Sequence, residues 1–228
     1  MTALASSSPP PLILATGFSV FPGAPENPTA WAMEELKSSA WRPARARLAT
    51  RILPVYYDMW ENELGPLLAQ AKPDAVVAFG LSAKATGFTL ESTARNKFGM
   101  GRPDASGTPP PSDKVSDGGG ADYPSRLPLR EIASTLQRAD LPFQHSDDAG
   151  DYVCNMLFYR LMAHIEASGA PAVAGFVHVP YLDTQVTRLA LTGLATDHLR
   201  SMSADQLIQG TRAILTVVAD ALADPAII

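Results

Sequence analysis

The chain has 228 residues, of which 46% are hydrophobic and 18% charged, so it can form one large domain with a full core. Its net charge of −5, without any basic cluster, excludes a surface built for nucleic acid or an anionic membrane. The single cysteine excludes an internal disulfide, and no apolar run approaches the ~20 residues that cross a bilayer. These properties predict a soluble, cytoplasmic protein without nucleic-acid or membrane partners.

The chain begins with a Ser- and Pro-rich stretch that has neither the charged nor the apolar region of a signal peptide. We therefore expect a disordered lead-in over residues 1–11. No stretch near the middle of the chain is typical of an interdomain linker, so one α/β domain is expected over residues 12–228.

Strand-like and helix-like segments alternate along this domain. The predicted strands are Leu12–Thr16, Arg47–Leu53, Ala75–Gly80, Gly87–Ala94, Leu141–Ser146 and Ala172–His178. The predicted helices are Pro28–Leu36, Asp58–Gln70 with a bend at Gly65 and Pro66, Leu129–Ala139, Cys154–Ser168, and a closing helix from the capping box at Ser203 to about Leu222. This alternation predicts an α/β sandwich with a largely parallel sheet.

One long segment interrupts the alternation. Residues from about 99 to 126 are rich in Gly, Pro, Ser and Asp, which predicts a long loop. A segment of this length without regular structure inside a compact domain is usually either a functional loop or disordered.

The cysteine lies at a position that suits nucleophilic chemistry. Cys154 opens a helix, where the dipole and the free N–H groups of the first turn favour a thiolate. His178 ends an apolar strand, so its ring is held rigidly and can reach a neighbouring helix. The pair predicts a Cys–His nucleophilic hydrolase. The alternatives are a small buried cysteine and a histidine that is satisfied within the core.

A third residue would orient the imidazole and stabilise its charged form. Glu91 is the candidate, because it interrupts a strand-like stretch in which a buried carboxylate needs a partner. An outward-facing Glu91 fits the same alternation. The remaining histidines, His145, His164 and His198, lie in polar, mid-helix or turn-like contexts and are predicted to be solvated or structural.

The segment after the first strand is a candidate ligand loop, because α/β proteins bind ligands at strand ends. Residues 16–23 contain two glycines but not the G-x-G-x-x-G pattern of a dinucleotide site. The aromatic rings of Phe18 and Phe21 suit a flat, apolar or amide-like ligand. Alternatively, the rings pack beneath the loop.

Taken together, these segments resemble pyroglutamyl-peptidase I, a family of cysteine peptidases. The Cys154 segment, Ala149–Asn155, resembles the family's A-G-x-x-x-C-N sequence, and Gly175–Tyr181 resembles G-F-I-H-[VI]-P-Y. Leu90–Asn96 resembles E-R-x-A-x-N, the segment that contains the catalytic glutamate. Further similarities occur in the family order at Thr16–Gly23, Glu26–Thr29, Leu53–Val55, Lys72–Asp74 and Gly80–Leu81.

The resemblance implies a three-layer α/β/α sandwich of the phosphorylase/hydrolase-like kind, built on a twisted, largely parallel (mixed) sheet. It implies a catalytic triad of Cys154, His178 and Glu91, with no metal and no cofactor. The implied activity removes N-terminal pyroglutamate from peptides through an acyl-enzyme. A homo-oligomer, a tetramer by family resemblance, is also implied.

The lactam pocket of the family matches four residues of this chain, namely Phe18, Phe21, Tyr152 and Val153. A neutral lactam needs apolar walls and a few hydrogen bonds rather than a charged anchor. These four residues are therefore the predicted substrate-binding set.

Four positions near this site depart from the family pattern: Lys84, Gly101, Asp147 and Asp148. The two carboxylates lie beside the Cys154 helix and disfavour a thiolate, which predicts weak activity that rises towards alkaline pH. The departures also leave two alternatives open. One is a related hydrolase of another small amide or lactam, and the other is a catalytically silent binding or assembly protein on the same fold.

Overall fold

The computed structural model describes residues 9–21, 24–120, 122–168 and 173–224. The strands in these ranges are β1 (Leu12–Phe18), β2 (Arg47–Leu53), β3 (Ala75–Leu81), β4 (Phe88–Glu91), β5 (Thr93–Arg95), β6 (Asp122–Pro124), β7 (Phe143–Ser146), β8 (Val173–Val179), β9 (Tyr181–Leu182) and β10 (Ser201–Met202). The α-helices are α1 (Pro28–Ser38), α2 (Gly65–Ala71), α3 (Leu129–Arg138), α4 (Val153–Ser168), α5 (Asp183–Leu191) and α6 (Ala204–Ala223).

The main sheet has six strands in the order β2-β1-β3-β8-β4-β7. All neighbouring pairs are parallel except β4 and β8, which are antiparallel. The sheet is therefore mixed and largely parallel, as predicted. Two small ribbons, β9 with β10 and β5 with β6, lie outside it.

Side chains alternate between the two faces of the sheet, and each face has its own apolar core. In β3, Ala75, Val77 and Phe79 pack on the side of α1, α3 and α6, whereas Val76 and Ala78 pack on the side of α2 and α4. Two helical layers thus enclose the sheet, and the predicted three-layer α/β/α sandwich is confirmed. No described helix is long and apolar enough to cross a membrane.

Two strand and helix predictions near the site need correction. The single strand predicted over Gly87–Ala94 is wrong, because the chain leaves the main sheet at Ser92. The Ser92 N–H still donates to Ser146 (2.7 Å), whereas its carbonyl accepts from the N–H of Ser125 (2.8 Å). The next residues then pair with β6 as the separate strand β5. The helix predicted over Asp58–Gln70 is a π-helical turn over Trp60–Leu64 followed by α2.

The predicted loop at 99–126 is not wholly irregular, because it ends in β6. The predicted lead-in falls mostly on residues 1–8, which lie outside the described residues. The carbonyls of Pro10 and Pro11 accept hydrogen bonds from Arg47, so the end of this stretch contacts β2. Sequence reasoning did not predict α5, whose residues are mostly exposed.

Candidate active site

The sheet directs two of the predicted site residues to one face. Phe88 and Leu90 pack in the core on the α3 and α6 side, so Thr89 and Glu91 point to the α4 side. In β8, Phe176 packs on the α4 side, and His178, two residues later, points the same way. This parity brings Glu91 and His178 onto the same face of adjacent strands.

Glu91 and His178 form a hydrogen-bonded pair across the antiparallel strands. Glu91 lies opposite Phe176 in the register, so His178 is its diagonal neighbour. The imidazole Nδ1 donates to Glu91 Oε1 at 2.7 Å, and both residues are buried, with 6% of His178 and 2% of Glu91 exposed. The alternative of an outward-facing Glu91 is therefore wrong. Its second carboxylate oxygen, Oε2, is buried without a hydrogen-bond partner among the described residues.

Cys154 lies in the first turn of α4, as predicted, and its thiol reaches the same face of the sheet. It lines the same cavity as His178 and is near enough to raise the pKa of that imidazole, whose Nδ1 is already used by Glu91. Gly80 makes room for the sulfur, because a Cβ atom at this position would lie 3.1 Å from Cys154 Sγ and 2.7 Å from the Phe176 ring. The structure thus brings together all three residues of the predicted triad.

The surroundings of His178 favour its charged form. Burial lowers the pKa of His178, since it penalises the imidazolium. The hydrogen bonds with Cys154 and Glu91, and the negative charge of these two partners, outweigh burial and raise the pKa of His178 to about 9. The site can therefore hold an imidazolium, the charged form of histidine that a nucleophilic cysteine needs beside it.

A cavity of about 620 Å³ lies at the carboxyl end of the central strands and is lined by this cluster. Its size is in the range of small-molecule sites, about 300–1,000 Å³. All residues predicted for catalysis or lactam binding line it, namely Cys154, His178, Glu91, Phe18, Phe21, Tyr152 and Val153. The predicted residues therefore lie around a single space.

Hydrogen bonds near the start of α1 hold Phe18 and the beginning of the loop that leads to Phe21. Phe18 is the last residue of β1, and its N–H donates to the Thr29 hydroxyl at 2.9 Å. The N-cap residue of α1, Asn27, accepts from the N–H of Thr29 (3.0 Å) and donates to the carbonyl of Ser19 (3.0 Å). This cap fixes the start of the loop that leads to Phe21. Gly23, the other predicted glycine of this loop, lies outside the described residues.

Tyr152 belongs to an aromatic group that borders the cavity. Its ring packs edge-on against Tyr57, with 5.8 Å between the centroids. The Arg102 guanidinium lies over the face of the Tyr152 ring, 3.8 Å from the ring centroid. The Tyr152 hydroxyl donates to the carbonyl of Pro103 at 3.1 Å. Tyr152 thus links α4 to the segment that follows Gly101.

Sequence reasoning missed Tyr57 and Asp104, which organise this segment. The Tyr57 hydroxyl donates to the carbonyl of Arg102 (2.7 Å), and its N–H donates to Asp104 Oδ2 (2.9 Å). The available signal was an Asp followed two residues later by Ser in a loop, a pattern typical of an Asx turn. No sequence pattern indicated the contact with Tyr57, which is 47 residues away.

The two carboxylates before α4 are paired with cations. Asp148 accepts from Lys97 Nζ at 2.8 Å, and Asp147 accepts from Arg95 at 2.9 Å. Burial raises the pKa of Asp148, but the hydrogen bonds from Lys97 and Gly150 and the charge of Lys97 lower it overall. Because each carboxylate has a cation beside it, the negative potential that the two carboxylates produce at Cys154 is weaker than the sequence alone suggests.

A mixed sheet between two helical layers, with a helix-borne thiol beside a buried His–Glu pair, defines the class of cysteine hydrolases. Comparisons with known proteins narrow this class. A family model described as pyroglutamyl peptidase matches residues 12–221. The chain therefore belongs to the pyroglutamyl peptidase family.

Individual relatives agree with this assignment. The pyrrolidone-carboxylate peptidase of Streptococcus suis is 31% identical over 208 residues, which cover 91% of this chain and 92% of the relative. Pyrrolidone-carboxylate peptidase 1 of Ralstonia nicotianae is 35% identical over 175 residues, covering 77% and 80%. The solved structure of pyrrolidone carboxyl peptidase from Thermococcus litoralis has a TM-score of 0.84 and 30% identity, covering 94% of this chain and 96% of that chain.

Proposed function

We propose that this chain cleaves N-terminal pyroglutamate from peptides, with Cys154 as nucleophile, His178 as general base and acid, and Glu91 as the residue that orients His178. The observation that supports this most directly is the hydrogen-bonded Glu91–His178 pair at 2.7 Å, with Cys154 in the wall of the same cavity. A buried carboxylate, an imidazole and a thiol in this order are the parts of a nucleophilic triad.

In the acylation step, the proton of the Cys154 thiol passes to His178, and the thiolate attacks the pyroglutamyl carbonyl carbon. The tetrahedral intermediate collapses when His178 donates its proton to the leaving amine, so the C–N bond breaks and a thioester forms. Glu91 stabilises the imidazolium during both transfers and holds the ring in one tautomer, because its Oε1 accepts from Nδ1.

The first turn of α4 provides donors for the developing oxyanion. The first helical hydrogen bond runs from the Met156 N–H to the carbonyl of Tyr152 (3.0 Å), so the N–H groups of the three residues before Met156, Cys154 among them, have no partner within the helix. Donors that are already in place where negative charge develops lower the barrier without reorganisation. We assign this role to the N–H groups at the start of α4.

Deacylation uses the same residues in the reverse order. His178, now neutral, removes a proton from water, and the hydroxide attacks the thioester carbonyl. The C–S bond breaks, free pyroglutamate leaves, and the sulfur of Cys154 regains its proton from His178. No other reactant is needed, so hydrolysis is balanced by one water molecule.

The lactam ring is assigned to the apolar part of the cavity, against Phe18, Phe21, Tyr152 and Val153. Aromatic walls suit a flat, neutral ring, and the cluster at Cys154 meets its exocyclic carbonyl.

The decisive experiment is hydrolysis of a pyroglutamyl fluorogenic amide before and after alkylation of the thiol. A panel of prolyl, alanyl and other lactam amides in the same assay tests specificity. Preference for one of these over the pyroglutamyl amide would contradict the assignment.

Three further properties remain proposals. A cytoplasmic location is supported by the free thiol of Cys154, since such thiols persist in reducing compartments. A homo-oligomer, a tetramer by the family resemblance, is testable by light scattering of the purified protein. A monomer at micromolar concentration would contradict it. The single-domain organisation over 12–228 likewise stays a prediction, which one cooperative unfolding transition would support.

A further inference from the structure

A second cavity adjoins the catalytic one. Its volume is about 350 Å³, the space of about a dozen water molecules in the liquid. Three residues line both cavities, namely Phe21, Arg102 and Tyr152. The two cavities therefore adjoin at these residues, and Arg102 is the charged group among them.

The wall of the second cavity is a short irregular segment, residues 101–108, which we call the rim segment. Asp104 organises it from within, and only 5% of this residue is exposed. Its Oδ1 accepts from the N–H groups of Ser106 (2.8 Å) and Thr108 (3.0 Å) and from the Ser106 hydroxyl (2.6 Å). Its Oδ2 accepts from Tyr57. Both oxygens of this carboxylate are thus already used within the protein.

Arg102 is the cation at the junction of the two cavities. Stacking on Tyr152 fixes its guanidinium through the π-face, which leaves the N–H donors free. Within the part of the chain that the structure describes, this guanidinium forms no hydrogen bond and no ion pair. Asp104, the acidic residue in the wall of the second cavity, already uses both carboxylate oxygens in hydrogen bonds within the protein. The junction therefore offers a planar fork of unpaired donors to a ligand.

We propose that Arg102 is a specificity-determining residue, which binds a carboxylate on the leaving side of the peptide when the lactam lies at Cys154. This inference rests on the proposed function, and it adds a preference among pyroglutamyl peptides. A guanidinium fork pairs with a carboxylate in two parallel hydrogen bonds, which no neutral amide can match. The carboxylate has two possible sources, the C-terminus of a pyroglutamyl dipeptide or an acidic side chain next to pyroglutamate.

The test compares kcat and KM for four peptides. These are pyroglutamyl-alanine with a free carboxylate, its C-terminal amide, pyroglutamyl-glutamate amide and pyroglutamyl-glutamine amide. The first pair isolates the terminal carboxylate, and the second pair isolates the side-chain carboxylate with an isosteric control. We expect kcat/KM to be about three- to five-fold higher for the carboxylate of at least one pair, through KM, since the ion pair is exposed.

Two variants identify the residue responsible. Arg102→Gln is expected to reduce the preference to near one, and Arg102→Lys to restore part of it, because the charge returns without the fork. Lys84→Gln is the matched control, since Lys84 is another exposed cation that lines only the catalytic cavity. The preference should persist in this control and should weaken at 1 M salt.

Two outcomes would overturn the inference: equal kcat/KM within both peptide pairs, or a preference that survives Arg102→Gln. Loss of the preference in Lys84→Gln alone would overturn it as well, by placing the carboxylate elsewhere. The neutral pyroglutamyl-alanine amide separates this failure from failure of the proposed function. If the wild type cleaves that amide without any preference, only the role of Arg102 is lost, whereas no cleavage of any peptide removes the proposed function itself.

Discussion

The triad cluster and the rim segment are held in place by different forces. Glu91 and His178 lie on paired strands and are almost fully buried, so the ladder of main-chain hydrogen bonds fixes their separation. The rim segment has no helix or strand and depends on the hydrogen bonds of one carboxylate, Asp104, and on two tyrosines. Rigid elements therefore position the groups for bond breaking, and a polar loop positions those that contact the rest of the substrate.

The largest expected effect comes from the nucleophile. Cys154→Ser should lower kcat/KM for a pyroglutamyl amide by about three orders of magnitude or more, because His178 does not populate a serine alkoxide. Steady-state kinetics measures the loss, and circular dichroism checks that the variant is folded. Since Cys154 is the only cysteine, one equivalent of iodoacetamide should inactivate the wild type. A folded serine variant with most of its activity would contradict the mechanism.

The orienting residue should matter less than the base. His178→Ala removes proton transfer altogether, whereas Glu91→Gln keeps a hydrogen-bond acceptor and loses only the charge. We expect Glu91→Gln to lower kcat by about 10²-fold or more, but by less than His178→Ala. Equal losses in two folded variants would show that Glu91 acts directly. Thermal unfolding of both variants provides the control.

The pH dependence of the rate tests the environment of His178. Its pKa is raised to about 9, so kcat/KM should fall as pH rises through about 9, when the proton for the leaving amine is lost. The sequence-based expectation of a rise towards alkaline pH then applies only below this value. A rate that stays constant to pH 10.5 would contradict the assignment.

The same shift predicts a change in stability. Since the folded His178 binds its proton more tightly than a histidine of pKa 6.5, its contribution to the free energy of unfolding is full below pH 6.5. That contribution is lost as pH rises through about 9. Urea unfolding at pH 6 and pH 9.5 measures this loss, and the loss should be absent in folded His178→Ala.

The rim segment gives a smaller and different effect. Asp104→Ala should raise KM by about three- to ten-fold with a smaller change in kcat, because several backbone N–H groups lose their acceptor. Asp117→Ala, at an exposed position of the same long segment, is the matched control. If Asp104→Ala and Asp117→Ala changed KM and kcat by the same factors, the rim segment would not select substrate.

Acid should loosen the rim segment in the same way. Burial raises the pKa of Asp104, but hydrogen bonds from Ser106, Tyr57 and Thr108 lower it overall. Its stabilising contribution is therefore present above pH 3.8 and is lost as pH falls below that value. Hydrogen exchange of the Thr108 amide between pH 3 and pH 6 measures this change, after correction for the intrinsic rate. Constant protection over this range would contradict it.

The smallest effect is expected at the paired carboxylates. Asp148→Asn should change kcat/KM by less than about three-fold, because Lys97 already compensates the charge in an exposed pair. Lys97→Met leaves Asp148 unpaired and should lower the rate more than Asp148→Asn does. A large gain in Asp148→Asn would instead support the sequence-based expectation that this carboxylate suppresses the thiolate.

The sequence by itself determined the α/β class, most element positions and the residues that meet at the cavity. Apolar runs and caps are local signals, and the segments around Glu91, Cys154 and His178 resemble those of one family. Local sequence signals did not predict the element ends that depend on contacts with residues distant in the chain. The strand ends after Glu91, where the carbonyl of Ser92 accepts a hydrogen bond from the N–H of Ser125, a residue distant in the chain.

The tertiary structure alone decided which side chains face each other. The pattern around Glu91 fits an inward or an outward carboxylate, and only the antiparallel pairing of β4 with β8 makes it the partner of His178. Likewise, nothing in a Gly- and Pro-rich stretch indicates that Arg102 stacks on Tyr152, since that contact joins residues 50 positions apart. Periodicity fixes the face on which a side chain lies, whereas its partner depends on long-range packing that no local pattern encodes.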